Sequence, residues 1–393
     1  MAWRDSVGFA DRLQLINRFT EALQTSDENL SRSATLQEAR QEETACWDKA
    51  STKAEYLSLS ESRLAQLLIK RPIPHPPSYT EEPCTLPPGV PESIGPFTLA
   101  VRINIGLFST IFCAPAPSEC KSSKLIALKV SNLSSIAPPH DPIREARLLK
   151  LARHHSVLPL LDTLHLPGEF ILIAPYFPTC LSELLKSGSI SITSARSIMS
   201  DVFTGLAHIH SLGIIHRDIK PSNILLNFPS LGAVIADFGI SWHEKDPSSE
   251  PVSEKITDIG TTHYRAPELL FGYRSYGPEV DLWAAGCVLA ETIDAGHRPL
   301  FESGDLGSEL RLVADIFQKL GTPTLDSWPA AKEFPDFGKL EFKVFQRQTW
   351  ENLVLCPDAA ALDVVSKLVT YEAGDRLPAC MVLEQQFFRN KQS

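Results

Sequence analysis

Residues 215–223 constrain the fold of this chain more than any other stretch. Their sequence has the pattern H-R-D-x-K-x-x-N and lies between two apolar runs, residues 214–215 and 224–226. A short loop that sets several charged and polar side chains beside apolar sequence is costly to bury unless those side chains have partners or a task. The pattern therefore indicates a functional loop with apolar sequence on both sides.

Three side chains of this loop match what phosphoryl transfer requires. That reaction uses a carboxylate to accept the proton of the attacking hydroxyl, a cation near the transferred group and an oxygen ligand for a metal ion. Asp218, Lys220 and Asn223 supply these groups in that order. About twenty residues later, Asp237 opens the sequence Asp-Phe-Gly behind the apolar run 233–235, where it is expected to provide a second metal contact.

The two motifs, in this order, resemble the catalytic loop and the metal-binding loop of eukaryotic protein kinases. The resemblance covers about residues 97–388 and implies an α+β, two-lobed protein kinase fold. A small β-rich N-lobe is expected over residues 97–177 and a larger helical C-lobe over residues 178–388. ATP and Mg²⁺ would bind between them, with Asn223 and Asp237 holding the metal. The position of Lys220 resembles the serine/threonine-specific pattern.

The N-lobe is expected to hold the phosphates. Residues 104–109 stand where kinases carry a G-x-G-x-x-G loop, but only Gly106 remains, with Asn104 and Ser109 at the outer positions. Lys129, in the strand-like run 125–130, matches the lysine that holds the α- and β-phosphates. Glu145, on a predicted helix over 142–151, is placed to pair with Lys129. The residues assigned to ATP binding are Asn104, Gly106, Ala127, Lys129, Ala174, Pro175 and Phe177.

The C-terminal part carries further kinase features. Residues 241–257 form a polar stretch that predicts a mobile loop. The following residues, up to Glu268, resemble the A-P-E end of an activation segment. In kinases that glutamate pairs with a buried arginine, here Arg376. The residues assigned to activation-segment function are Arg217, Thr257, Thr261, Glu268 and Arg376.

Three shorter signals resemble the cyclin-dependent kinase branch. They are P-I-R-E at residues 142–145, which resembles the end of the PSTAIRE helix, Tyr264-Arg265 before A-P-E, and residues 320–329. The resemblance extends to the kinases that activate cell-cycle kinases, including divergent fungal ones that act without a cyclin. The PSTAIRE-like signal is the basis for expecting a cyclin-like partner.

The activating threonine of that branch aligns with Ile256, which cannot be phosphorylated. We therefore expect activity without activation-segment phosphorylation, with Asp258 partly satisfying Arg217. A one-residue offset, with Thr257 as the phosphorylated residue, is the alternative.

The hinge between the lobes is predicted at residues 171–177, after strands over 156–161 and 169–175. The resemblance implies that the carbonyl of Pro175 and the amide of Phe177 bind adenine. It also aligns Ala174 with a phenylalanine at the back of the ATP pocket of cyclin-dependent kinases. An alanine there leaves a space of roughly one aromatic ring unless Ile173 or another large side chain closes it.

Residues 1–71 predict a separate helical extension. Phe9, Leu13, Ile16, Phe19 and Leu23 recur at helical spacing. Residues 58–61 have the form of a capping box ahead of Leu64, Leu67 and Leu68, and Pro72 would end that helix. Residues 72–96 contain nine prolines, which exclude a helix or a central strand and predict a linker with extended stretches. The extension is an appendage of the kinase region, a docking or regulatory segment, or the main functional module.

Composition excludes several other classes. The net charge of −10 argues against a nucleic-acid-binding protein. The eight cysteines include no C-x-x-C pair, which predicts reduced thiols in an intracellular protein of the nucleus or cytoplasm. No signal peptide and no apolar run of membrane-spanning length is present in the sequence, so no membrane association is expected.

The eroded glycine loop supports one competing class, a kinase-shaped binding module without activity. Against it, the polar residues that catalysis needs are all present: Lys129, Glu145, Asp218, Asn223 and Asp237. The sequence therefore favours an active serine/threonine kinase that acts on protein hydroxyls.

Overall fold

The computed structural model of the protein describes residues 7, 12, 15–20, 23, 32–69, 86–116, 124–188, 190–227, 231–304 and 307–389. Contacts divide the chain into two units, residues 1–81 and residues 82–393. The described part of the first unit is helical. The second contains a six-stranded antiparallel sheet followed by a mostly helical region.

The first unit contains helices α1 (Arg32–Lys49) and α2 (Lys53–Ile69). Residues 15–20 are helical as well, in line with the predicted spacing, and Phe19 is fully buried. The remaining predictions for this region fall on residues or side chains outside the described part of the chain, namely Phe9, Leu13, Pro72 and the side chains of Leu64, Leu67 and Leu68.

Helix α2 begins earlier than the sequence predicted. Thr52 Oγ1 accepts the N–H of Glu55 at 3.1 Å, and Glu55 Oε2 accepts the N–H of Ser51 at 2.8 Å. This arrangement resembles a capping box, although Glu55 accepts the N–H of Ser51 and not that of Thr52. The predicted box at 58–61 is wrong because those residues lie inside the helix. Both stretches fit the pattern, and only the first follows a turn.

A buried carboxylate joins the elements of the helical unit. Glu43 on α1 accepts two hydrogen bonds from Arg12, both at 2.7 Å, and one from the Tyr56 hydroxyl at 2.6 Å. Burial raises the pKa of Tyr56, and the adjacent Glu43 raises it further. These contacts satisfy the Glu43 charge among the apolar residues of this unit, which include Phe19 and Cys46.

The second unit begins with a sheet in which every neighbouring pair of strands is antiparallel, in the order β1-β2-β3-β4-β6-β5. Its strands are β1 (Pro91–Ile94), β2 (Phe97–Ile105), β3 (Ser109–Pro115), β4 (Leu125–Asn132), β5 (Asp162–Leu166) and β6 (Glu169–Pro175). The sheet is the β-rich N-lobe that the motifs predicted.

The two edge strands of this sheet compare differently with the sequence prediction. Strand β1 lies within residues 72–96, where extended stretches but no central strand were expected. Pro91 is tolerated because it begins an edge strand, where a missing N–H costs little. The strand predicted over 156–161 is wrong, since β5 starts at Asp162. Residues 156–158 instead bond to Ile235 through backbone groups.

One helix packs on the N-lobe sheet and carries Glu145. Helix α3 (Pro142–Leu151) has the predicted bounds. Its N-cap Asp141 accepts the N–H groups of Ile143 and Arg144, both at 2.9 Å, and Pro142 supplies a φ suited to the first helical position. The cap fixes where the helix starts and therefore which face Glu145 occupies.

The C-lobe is mainly helical. Its helices are α4 (Leu181–Ser187), α5 (Ile192–Ser211), α6 (Pro267–Leu270), α7 (Glu279–Ile293), α8 (Glu309–Leu320), α9 (Trp350–Leu353), α10 (Ala359–Leu368), α11 (Ala379–Val382) and α12 (Gln386–Arg389). Its short strands are β7 (Thr179–Cys180), β8 (Ile214–Ile215), β9 (Ile224–Asn227), β10 (Gly232–Ile235) and β11 (Trp242–His243). Strands β7, β9 and β10 form one small sheet and β8 and β11 another.

Helix α7 is the centre of the C-lobe core. All its residues after Glu279 are buried, and Trp283 is fully covered. Gly286 allows α10 to approach closely, because a Cβ there would lie 2.7 Å from Val369 Cγ2 and 2.8 Å from Leu368 Cβ. Among the described residues, no helix is both long and apolar enough to span a membrane.

A buried ion pair fixes the end of the activation segment. Arg376 Nη1 and Nη2 donate to the two carboxylate oxygens of Glu268 at 2.5 and 2.8 Å. Both side chains are almost completely buried, and Arg376 also donates to the carbonyls of Thr370 and Glu279. The geometry is the one that the kinase resemblance implied.

We predict that Glu268→Ala lowers the free energy of unfolding by about 3–5 kcal/mol, because Arg376 would remain buried without its carboxylate. Urea denaturation followed by circular dichroism measures this loss. Lys339→Ala is the control, since its pair with Asp336 is exposed, and we expect a change below about 1 kcal/mol. Equal stability of the two variants would show that the buried pair contributes no more than a surface pair.

Candidate active site

One buried carboxylate holds the H-R-D loop in place. The two oxygens of Asp281, in the first turn of α7, accept the backbone N–H groups of His216 and Arg217, both at 2.8 Å. Burial raises the pKa of Asp281, but His210 and His216 together outweigh that effect and keep the pKa below its usual value. Arg217 has a φ of +71°. These contacts stabilise a conformation that L-residues rarely adopt.

The carboxylate of Asp218 is oriented from four directions. Asn223 Nδ2 donates to Asp218 Oδ2 at 3.0 Å, and Lys220 Nζ lies 2.7 Å from the same oxygen. The backbone N–H and the hydroxyl of Thr261 donate to Asp218 Oδ1, both at 3.0 Å. Lys220 also donates to Thr261 Oγ1 at 2.8 Å. Thr261, which was assigned to the activation segment without a role, therefore lies at the proposed base.

A second set of charges meets at Lys129 on β4. Its Nζ lies 2.8 Å from each carboxylate oxygen of Glu145 and 2.6 Å from Asp237 Oδ1. Burial lowers the pKa of Lys129, but Asp237 and Glu145 outweigh it and raise the pKa. Burial raises the pKa of Asp237, but the nearby Lys129 has the larger, opposite effect, so the pKa is lowered. Burial raises the pKa of Glu145, and Lys129 opposes that effect. Lys129 and Asp237 are therefore charged at neutral pH.

These residues surround a cleft of about 660 Å³ between the lobes. The cleft is lined by the residues assigned to ATP binding, namely Asn104, Gly106, Ala127, Lys129, Ala174, Pro175 and Phe177, and by the polar residues Glu145, Asp218, Lys220, Asn223, Asp237 and Thr261. Arg217, Thr257, Glu268 and Arg376 do not line it. The structure thus separates the predicted residues into a cleft set and an activation-segment set.

The cleft offers oxygen ligands that fit Mg²⁺ and a backbone N–H that fits ATP. Asp237 offers a carboxylate, and Asn223 uses its amide nitrogen on Asp218. Within the described residues, the Asn223 amide oxygen accepts no hydrogen bond, which leaves it available. Carboxylate and amide oxygens are ligands that suit Mg²⁺. The Phe177 N–H likewise donates no hydrogen bond to another described residue.

The loop over the cleft is closed by contacts that the sequence did not indicate. Gly106 donates its N–H to Ser109 O at 2.8 Å, and a Cβ at Gly106 would lie 3.1 Å from that oxygen. At the tip, the ring of Phe108 packs on the ring of His140, with centroids 4.1 Å apart. His140 precedes α3 and was not assigned to the site. No motif marks this pair, because it depends on two segments meeting in space.

Ala174 faces the cleft, as the hinge alignment predicted. It lies opposite Ala127 in the β4–β6 pair and lines the cleft. Ile173, the side chain considered able to close the space, packs instead into the sheet cluster with Ala100 and Phe112. Leu172, opposite Lys129, also lines the cleft. Strand alternation places Leu172 and Ala174 on one face and Ile173 on the other.

Arg217 has a different acidic partner from the one predicted. Its Nη2 lies 3.1 Å from Glu250 Oε2. Asp258, the expected partner, pairs with Arg265 at 2.6 Å instead, so that prediction is wrong. Asp258 lies on the exposed side of the segment, where Arg265 is in reach and the buried Arg217 is not. Glu250 stands in a polar stretch that contains other carboxylates, and nothing in the sequence distinguishes it from them.

The polar stretch 241–257 is anchored at several points. Strand β11 pairs with β8, and Trp242 Nε1 donates to the carbonyl of Glu250 at 2.8 Å. Ile256 packs against the C-lobe core, and its carbonyl accepts a hydrogen bond from the Tyr276 hydroxyl at 2.6 Å. The prediction of a mobile loop rested on polarity alone and missed these contacts. Polar composition does not indicate hydrogen bonds to residues distant in sequence.

Comparison with known proteins agrees with this geometry. Residues 102–388 match the family model described as protein kinase domain. The chain belongs to the protein kinase family. The kinase is 37% identical over 288 residues to "Serine/threonine-protein kinase csk1" of Schizosaccharomyces pombe, an alignment that covers 72% of this chain and 91% of that protein. It is 32% identical over 293 residues to "Cyclin-dependent kinase 7" of Xenopus laevis, covering 73% of this chain and 79% of that protein.

These relatives place the chain among the serine/threonine kinases of the cyclin-dependent kinase-like group. The β-rich N-lobe, the helical C-lobe and the helical N-terminal extension agree with the fold predicted from the motifs. The alternative of an inactive, kinase-shaped binding module is not supported.

We predict that Lys129→Ala lowers the turnover of the kinase by about 10²-fold or more, because this cation lines the cleft where it is placed to hold phosphates. The variant should stay folded with some loss of stability, since Glu145 remains buried without its partner. Phosphate incorporation into a generic protein substrate and near-ultraviolet circular dichroism measure the two properties. Lys150→Ala, an exposed lysine on α3, is the control and should keep normal turnover. Near-normal turnover of Lys129→Ala would show that another cation fills this role.

We also predict that Ala174→Phe weakens ATP-competitive inhibitors carrying a bulky aromatic group by about 1–3 kcal/mol, through direct overlap with the new ring. The KM for ATP should change little, because ATP does not use this space. Ala174→Ser keeps the side chain small and should retain inhibition. Inhibition constants for the three proteins show whether the pocket beside Ala174 is open. Equal values for the original kinase and Ala174→Phe would contradict an open pocket.

Proposed function

We propose that this kinase transfers the γ-phosphoryl group of ATP to serine or threonine hydroxyls of proteins, with Asp218 as the catalytic base. The observation that carries this proposal is the shared cleft. It brings the Lys129–Glu145–Asp237 charges and the oriented carboxylate of Asp218 to one cavity. An ion pair between a strand lysine and a helix glutamate is a requirement for phosphoryl transfer in protein kinases.

Each residue of the cleft has a distinct proposed role. The Pro175 carbonyl and the Phe177 amide would bind adenine, and Lys129 would hold the α- and β-phosphates. Asn223 and Asp237 would hold Mg²⁺, which when bound neutralises phosphate charge. Asp218 orients the substrate hydroxyl and accepts its proton, because Asn223 and Thr261 fix its carboxylate. Lys220 contributes positive charge beside the transferred group.

Asp218→Asn tests the proposed base. An asparagine keeps the shape of the side chain but cannot accept a proton, so we expect turnover to fall by about 10²–10⁴-fold. The measurement is transfer of labelled phosphate from ATP to a protein substrate, with Asp326→Asn as a control at an exposed site. Equal rates in the original protein and in Asp218→Asn would mean that the activity comes from elsewhere.

We further propose that the substrate is the activation segment of a cell-cycle kinase and that a cyclin-like protein can bind at α3. Similarity to a protein named cyclin-dependent kinase 7 and the P-I-R-E sequence of α3 support this. Ile143 on α3 is 40% exposed, which leaves apolar surface for a partner. We place this activity inside the cell, in the nucleus or cytoplasm.

Two measurements test these finer proposals. A catalytically inactive cyclin-dependent kinase should accept phosphate, and the same protein with its activation-segment threonine changed to alanine should not. Equal phosphorylation of both would rule out that site. Addition of a purified cyclin should raise the rate, and an unchanged rate would remove the cyclin part of the proposal.

A further inference from the structure

The guanidinium of Arg217, next to the base Asp218, is fully buried and needs a compensating anion. Glu250 supplies it, with Oε2 at 3.1 Å from Nη2 and Oε1 at 3.3 Å from Nη1. The remaining donors of Arg217 bond to the carbonyl of Ile240 at 2.6 Å and the hydroxyl of Tyr276 at 3.0 Å. Arg217 is therefore satisfied by unmodified residues.

The same carboxylate lies among two further buried cations. Arg144 on α3 donates to the backbone carbonyls of Ser248 and Pro139, while its Nε has no hydrogen-bond partner among the described residues. Burial lowers the pKa of Arg144, Arg217 lowers it further, and Glu250 opposes both effects. Burial likewise lowers the pKa of Lys255, with the same opposition from Glu250. Glu250 is thus a negative charge that three buried cations share.

A second carboxylate of the segment binds α3 one helical turn after Arg144. Asp246 accepts two hydrogen bonds from Arg147, at 2.7 and 2.8 Å, and Arg147 also bonds to Ser248 Oγ at 2.6 Å. Burial raises the pKa of Asp246, but Arg147 and the hydrogen bonds from Ser248 together outweigh it and lower the pKa to about 2. Helix α3 also carries Glu145, so residues 246–250 are tied to the helix on which the Lys129–Glu145 pair depends.

We propose that Glu250 is a positioning residue that takes the place of an activating phosphate. Its carboxylate joins the arginine of the catalytic loop to the segment that holds α3, so the unmodified kinase is already in its active arrangement. This inference rests on the proposed function, since it concerns how the same site is regulated. The sequence led us to expect Asp258 as the partner of Arg217, whereas the structure has Glu250 there. The structure also shows that the same segment contacts α3.

Charge and acceptor counts explain how unmodified groups can replace a phosphate. A phosphate brings a charge of about −1.5 to −2 and three acceptor oxygens. In this kinase several groups share the compensation of the arginine charges. Glu250 pairs with Arg217, Asp246 pairs with Arg147, and backbone carbonyls accept hydrogen bonds from Arg144. The hydroxyl of Thr257, the alternative phosphosite, makes no hydrogen bond to another described residue. A phosphate there would have to displace Glu250 from donors that are already occupied.

The experiment compares five proteins: the original kinase, Glu250→Ala, Glu250→Gln, Glu254→Ala and Thr257→Ala. Each is treated with phosphatase and checked by intact mass. Glu254 is the matched control because it lies in the same segment with an exposed side chain. Loss of two charge-assisted hydrogen bonds predicts a fall in kcat of about tenfold or more for Glu250→Ala. Glu250→Gln should also lose activity, because it keeps the shape but not the charge, while the KM for ATP should change little.

Hydrogen exchange gives a readout that does not depend on turnover. In Glu250→Ala, exchange should rise in residues 243–250 and in α3, and in Glu254→Ala it should stay at the original level. Normal kcat in Glu250→Ala, or activity that is lost on phosphatase treatment or in Thr257→Ala, would overturn the inference. If the original protein transfers no phosphate, the proposed function fails, and exchange alone decides. Unchanged protection in Glu250→Ala would then still refute the role of Glu250.

Discussion

The ammonium group of Lys129 joins the three parts of the molecule that must meet for chemistry. It lies on a strand of the N-lobe, pairs with Glu145 on α3 and reaches Asp237 in the metal-binding loop, at 2.6–2.8 Å. Placing three charges together in a partly closed cleft is costly unless their attraction offsets the loss of solvent. The arrangement is therefore sensitive to the position of α3, and much of the surrounding structure serves to hold that helix and the loop beneath it.

The holding contacts are themselves polar and buried. Asp281 fixes the backbone of His216 and Arg217 from the core of the C-lobe. Glu268 and Arg376 fix the end of the activation segment in the same way. Such groups are tolerated in a core only when their hydrogen-bonding capacity is satisfied. Because each one is satisfied by residues distant in sequence, the catalytic loop has one position relative to α7 rather than several.

Sequence reasoning succeeded where a pattern is local. Helix α3 has a cap, a proline at its first position and an apolar face within a few residues, and its bounds were predicted correctly. The cleft residues belong to short motifs, and the structure brings them together in one cavity. It failed at β5, an edge strand with a partly polar sequence. There, pairing with a neighbouring strand outweighed local preference.

The sequence by itself determined the family, the two-lobed fold and the residues assigned to catalysis and ATP binding, because those properties reside in motifs and in the period of apolar residues. Only the tertiary structure decided which carboxylate meets Arg217, how α3 is tied to the activation segment, and that Thr261 orients the base. Glu250 and Asp258 are acidic residues only eight positions apart, and no local pattern shows which one meets Arg217. The path of the folded chain decides it, because that path partly buries Glu250 beside the arginine and leaves Asp258 at the surface.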